Sequence, residues 1–466
     1  MLHESSQVLV HPYKQKLLVL LFIELLLFIL ALWNAKMTGL IVGGMTVLIL
    51  LYYYFDKYPF YIIPFILFSI LAGNISAIPL GRKLPNIYFI DIEIVLIFMF
   101  FFFKLLMQSN NLTFSLTKFE KFFLLYLISC ILANFGSVDV LRGFAYFRGY
   151  LFCFLLFVFS LKYIDTFEKI EKLFWMFMIW GIFLSLIIIH HVFSQGNLLI
   201  TIATKNIHLN WGSSNYLAAF YVLIIPMGIS VLFTKTLPVV QKTILITSII
   251  IMISALFLTA SRGGVVALAA GIFFLLFRYR NWKAFTAFLF FIIIVGIVIY
   301  LNPSAKFIWE GLAGFQSSSS VFSRIGTWYE AIRIIKEHPV FGVGLGNMHY
   351  FVQNYYIKLT GNFELLKAHN LFLELLVETG FLGFVFYNIL LYNVYKIILK
   401  NNNRFNNPFH HSLAWGIFAG ISATLVHSLV EPTILSYSFG LFFWTVVVIA
   451  LKQAEFTTDI EQTNRN

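Results

Sequence analysis

A chain of 466 residues that is 60% hydrophobic, 19% aromatic and only 11% charged cannot hide its apolar surface in water. Its formal net charge of +12 would suit a nucleic-acid partner, but Lys and Arg are scattered in short stretches between apolar runs, as orientation signals in a membrane are, and nucleic acid is excluded. Cys130 and Cys153 both fall inside apolar runs and offer neither a disulfide framework nor zinc-ligand spacing.

Apolar runs long enough to cross a bilayer recur along the chain and predict an all-α polytopic membrane protein with about 14 (12–14) transmembrane helices. The runs lie at roughly 15–33, 37–55, 59–79, 88–107, 119–136, 146–163, 171–192, 213–233, 242–260, 263–278, 283–301, 370–397, 409–428 and 434–452. Residues 1–466 read as a single integral membrane domain. The first run follows His11, Lys14 and Lys16, lacks a small-residue cleavage site and reads as retained. With the N-terminus in the cytoplasm, the inside loops collect Lys57, Lys118, Lys121, Lys162, Lys169, Lys172, Lys235, Lys242, Arg278, Arg280, Lys283, Lys396, Lys400 and Arg404. Arg82, Lys83, Arg142 and Arg148 depart from this rule. Both termini are then cytoplasmic, with 453–466 as a tail.

One outside segment, 302–369, is long enough to form a subdomain. After the serine run "SSSS" comes "FSRIGTWYEAIRIIKEHP", where Ile325, Trp328, Ile332 and Ile335 recur at helical steps. Ser323 is the expected N-cap and Pro339 the stop. The stretch "FGVGLGN" supplies a glycine-rich turn. It lacks the preceding strand and following helix of a nucleotide loop.

This orientation places Arg262, in "FLTASRGGVVAL", on the same face as Arg324, Arg333 and His369. Arg142 and Arg148 border that face, and Asn215 and Tyr216 enter the membrane from it. Guanidiniums with few acids suit an anion, and the fork of arginine matches phosphate oxygens. The residues alone also allow an interfacial Arg262, a tight turn at Gly263 and Gly264, and a solvated helix face at Arg333 and Lys336. Arg324, at the predicted helix start, opposes the helix dipole and calls for a partner. The other histidines read as satisfied interfacial groups, with His427 and Glu431 in "LVHSLVEP" flagged behind His369. Asp91 and Glu93 form an Asp-x-Glu pair that reads as buried structure, with a metal site as the lesser alternative.

The blocks "TASRGGVVALAAG", "SRIGTWYEAIRIIKEHPVFGVGLGNM" and "AHNLFLELLVETGFLGFVFY", in this order, closely resemble those of the O-antigen ligase/polymerase superfamily; "WGSSNYLAAFYVLIIP" and "HSLVEP" resemble its flanking blocks. The resemblance spans about residues 210–435. It implies a helical membrane glycosyltransferase of the lipid-linked-sugar type in the bacterial inner membrane. Such an enzyme moves a glycan from undecaprenyl diphosphate to a sugar hydroxyl on the periplasmic face, inverting and without a metal or other cofactor. The acceptor is lipid A–core in the ligases and a second lipid-linked repeat unit in the polymerases. The family's essential arginines fall on Arg262 and Arg324 and its essential histidine, the general base, on His369. Arg333, Arg142, Arg148 and Asn370 are expected to add diphosphate or substrate contacts, with Asn370 or Glu374 as candidates to orient the histidine ring. Ligase is the leading reading and polymerase the alternative; about fourteen spans suit the latter at least as well. A transporter or flippase would call for inverted repeats, broken helices and midplane ionisable groups, none of which the sequence announces. Sugar identity, linkage and oligomeric state are not legible.

Overall fold

The computed structural model describes residues 54–70, 89–108, 116–194, 214–234, 237–280, 319–353, 367–401 and 407–463, with a few isolated residues besides. The predicted spans at 15–33, 37–55 and 283–301 lie mostly outside these. The chain divides into two compact units, Met1–Ile62 and Ile63–Asn466. In the first, the described residues form a 3₁₀ turn, Pro59–Tyr61, beside the ring of Tyr54.

The second unit is helical, with no strand among the described residues. Its helices are α1 (begun at the boundary, Ile62–Ser69), α2 (Phe89–Gln108), α3 (Lys118–Phe135), α4 (Val140–Tyr163), α5 (Phe167–Ser194), α6 (Ser214–Leu232) and α7 (Val239–Leu258). Then follow α8 (Arg262–Arg278), α9 (Ser319–Glu337), the short α10 (Met348–Phe351), α11 (Leu371–Asn401), α12 (Pro408–Ser428) and α13 (Tyr437–Thr463). Among the described residues, 6 helices are long and apolar enough to cross a membrane: α4, α5, α6, α7, α11 and the Tyr437–Thr457 part of α13.

Local sequence sets several starts. Thr117 and Glu120 form a reciprocal capping box on α3, and Asp139 caps α4 through the Arg142 N–H. The Asp139 cap starts α4 before the predicted span, so Arg142 is a helical residue rather than a loop residue. α13 likewise runs on through most of the expected tail. The helix predicted from Ser323 begins at Ser319 and ends before Pro339, so Arg324 lies in its second turn. The first residue of a helix, where a cation meets the positive dipole end, is instead Arg262 of α8.

Small residues bring the central helices close. A Cβ on Gly416 would lie 2.7 Å from the Met227 Cα, and one on Gly420 would lie 2.3 Å from the Leu223 oxygen. This Gly-x3-Gly pair seats α12 directly on the α6 backbone. Gly264 does the same for α8, against Ala218 of α6. The starts of α6 and α8 and the end of α12 are thereby held side by side.

α11 is one predicted span, but it is broken at Gly380 (φ 62, ψ −166). The break has a physical reason. In an intact helix the N–H groups of Phe381 and Leu382 would bond the carbonyls of Val377 and Glu378. Those N–H groups donate instead to Pro339 and Val340, while the two carbonyls accept from Val343 (2.8 Å) and Gly344 (3.0 Å). The glycine-rich loop thus fills the break and satisfies these four backbone groups. Gly342 and Gly380 require their lack of a side chain: both have positive φ, and a Cβ on Gly380 would sit 2.2 Å from the Val340 oxygen. Ala331, Ile334, Val343, Met348, Val352, Ala368 and Val377 form the small core beneath this docked loop.

Candidate active site

One oxygen organises the site. Glu431 follows α12 in "LVHSLVEP" and is 5% exposed. Its Oε2 accepts the Asn215 side-chain amide at 3.0 Å, meets the His369 Nδ1 at 3.2 Å and lies 3.7 Å from the Arg324 Nη2. These partners come from the start of α6, the turn before α11 and the second turn of α9. Glu431 therefore ties together elements far apart in sequence. Burial alone would push its carboxyl up, but the hydrogen bond and charge of His369, with the charges of Lys367 and Arg324, outweigh that and hold it below its ordinary value.

Arg262 joins this cluster through the neighbouring residue. Ser261 caps α8 by accepting the Gly264 N–H at 3.2 Å, and its hydroxyl donates to the Asn215 carbonyl at 2.8 Å. The chain Ser261–Asn215–Glu431 fixes the α8 start relative to the carboxylate. The Arg262 side chain itself is half-buried and has no ion-pair partner among the described residues. The residue before Ser261, Ala260, and His369 both have positive φ, at 52° and 51°. Such backbone is unfavourable for side-chain-bearing residues, and here it adjoins both ends of the hydrogen-bonded chain.

The other expected residues are placed differently. Asn370 uses both ends of its amide for structure: Oδ1 accepts the N–H groups of Phe372 and Leu373, and Nδ2 donates to the Leu429 carbonyl at 3.0 Å. Glu374 accepts the Ala368 N–H at 2.6 Å. The group against the His369 ring is thus Glu431, rather than Asn370 or Glu374. Arg333 is about 13 Å along α9 from Arg324. Its guanidinium meets Glu330 (2.9 Å), both oxygens of Glu337 (2.7 and 2.8 Å) and the Phe351 carbonyl. Arg148 pairs with Asp91 at 3.3 Å, and Arg142 lies over the Tyr146 ring. Each of these three arginines thus meets groups other than Glu431.

Sequence reasoning ranked Glu431 behind His369 and did not see Asn215 as its donor. The available signal was an acid and a histidine in the same short turn, "HSLVEP". His427 packs against the Gly263 backbone, and its ring nitrogens have no hydrogen-bond partner among the described residues.

An imidazole whose Nδ1 faces a carboxylate is held with Nε2 free to accept a proton. Guanidiniums at the α8 start and on α9 supply fixed positive charge nearby. Residues 247–387, from within α7 to beyond the α11 break, match the family model described as O-antigen ligase. The matched stretch contains Arg262, Arg324, Arg333, His369 and Asn370, while Asn215 and Glu431 lie outside it. No match was found among curated proteins. Over residues 247–387 the chain is similar to the O-antigen ligase family of membrane proteins.

Proposed function

We propose that this protein is an O-antigen ligase of the bacterial inner membrane. It transfers a glycan from undecaprenyl diphosphate to a hydroxyl of lipid A–core on the periplasmic face, with both chain termini in the cytoplasm and lipids around its helices. The observation that supports this best is the convergence of His369, Arg324 and Asn215 on Glu431, beside the start of α8 where Arg262 lies.

In this reading His369 donates its Nδ1 proton to Glu431 and takes the acceptor hydroxyl proton at Nε2. The freed oxygen attacks the anomeric carbon as the bond to the diphosphate oxygen breaks, and the anomeric configuration inverts. The leaving diphosphate gains negative charge as it departs. Arg262 and Arg324 stabilise that charge, the role a bound cation has in other glycosyl transfers. Glu431 stabilises the imidazolium that forms and restrains Arg324 until the more highly charged diphosphate competes for it.

Deletion of the gene from its host, followed by glycolipid gels, tests the assignment. A ligase leaves long lipid-linked chains that never reach lipid A. Single repeat units joined to lipid A would instead make the protein a polymerase acting on a second lipid-linked glycan. Loss of neither product would refute both.

A further inference from the structure

The turn that presents His369 is held by more than the site contacts. Lys367 donates to the Tyr216 hydroxyl at 3.2 Å, Ala368 donates its N–H to Glu374 at 2.6 Å, and Asn370 caps α11. Between them His369 adopts φ 51°. Ala368 is fully buried, so its N–H has Glu374 in place of water. Glu374 is itself buried, in the first turn of α11.

We infer that Glu374 is the positioning residue of the proposed reaction: by holding the Ala368 N–H it fixes the left-handed turn that aims His369 at Glu431 and at the acceptor. Without this acceptor, Ala368 carries a buried orphan N–H. The turn then relaxes toward negative φ and carries the ring off its line. Among the described residues, the other groups near the turn are engaged elsewhere: Glu431 by the ring, Asn370 by the α11 cap and Leu429, and Glu378 by the Gly346 N–H. The inference rests on His369 as the general base.

The test compares Glu374→Ala, Glu374→Gln and His369→Ala in purified full-length protein with lipid-linked donor and acceptor. Glu374→Ala is expected to lower kcat by about 10- to 100-fold with KM unchanged, the scale of a misplaced catalytic group. Glu374→Gln keeps an oxygen for Ala368 and is expected to restore kcat to within about threefold. Wild-type kcat in Glu374→Ala, or a Gln variant slowed more than tenfold, overturns the inference. If the Ala variant fails to fold, Glu374→Asp, whose shorter side chain draws the oxygen away from the Ala368 N–H, takes its place with the same expected loss and the same overturning result. Activity in His369→Ala would remove the base assignment, and the inference with it; an inactive His369→Ala leaves the Glu374 variants to decide the inference alone.

Discussion

Glu431→Gln removes the charge at the centre of the site while nearly keeping its shape. The three partners are donors converging on one oxygen, Oε2, so a glutamine that presents its own oxygen there preserves every contact. What disappears is the negative charge beside the imidazole. At about 4 Å, with an effective dielectric near 20, one unit charge contributes about 4 kcal/mol to the imidazolium. With the proton about half transferred in the transition state, about 2 kcal/mol of that is lost, or about 30-fold in kcat; full transfer raises the loss to about 1,000-fold. Arg324 is held less tightly without the charge, so KM for the lipid-linked donor should stay level or fall. Steady-state transfer in detergent or nanodiscs separates the two parameters. A kcat within threefold of wild type, or a loss confined to a raised KM, would refute the role given to Glu431. A second readout is stability. A carboxyl held below its ordinary value contributes stability that is fully present above the unfolded value of about 4.3 and is lost as pH falls through the folded value. The unfolding temperature of the wild type should therefore drop in that acidic range more steeply than that of Glu431→Gln.

Other expectations concern the scaffold and the orientation. Gly380→Ala places a Cβ against the Val340 carbonyl at a backbone conformation that suits glycine alone, costing at least about 3 kcal/mol and lowering the folded yield measured by size exclusion; an unchanged unfolding temperature would contradict the docked break. Arg333→Ala strips the buried Glu330 and the exposed Glu337 of their guanidinium and should cost about 2–3 kcal/mol in stability while folded enzyme keeps its kcat; a selective rise in donor KM would restore Arg333 to the substrate site. Tyr329 is 70% exposed on α9, and both native cysteines are buried, so Tyr329→Cys gives a single reactive thiol. It should react with a membrane-impermeant maleimide in intact spheroplasts, and labelling that requires lysis would reverse the proposed sidedness. Chelation with EDTA should leave transfer unchanged; loss restored by magnesium would show that a metal takes part.

Hydropathy alone was enough to locate helices α2 to α8 and α11 to α13, six of which are long and apolar enough to cross a membrane, because such a helix announces itself by a long run of one residue class. Their ends were less legible. The Asp139 cap starts α4 earlier than apolar residues do, and the serines before Ser323 continue α9 backward although no apolar stripe marks them. Arg262, Arg324 and His369 were visible because each interrupts an apolar or amphipathic pattern at a cost that needs a reason. Glu431 was hard to see because its significance is relational. A lone acid in a short turn means little until Asn215, His369 and Arg324 arrive from segments distant in sequence. Arg333 is the opposite case: by residue type and helix position it resembles Arg324, yet Glu330 and Glu337 on its own helix already engage it. Two arginines on one helix are therefore separated by their counter-ions. Arg324 reaches a carboxylate already shared with a histidine and an amide at 3.7 Å, a contact long enough for an incoming diphosphate to displace, whereas Arg333 is bound at 2.7–2.9 Å on several sides.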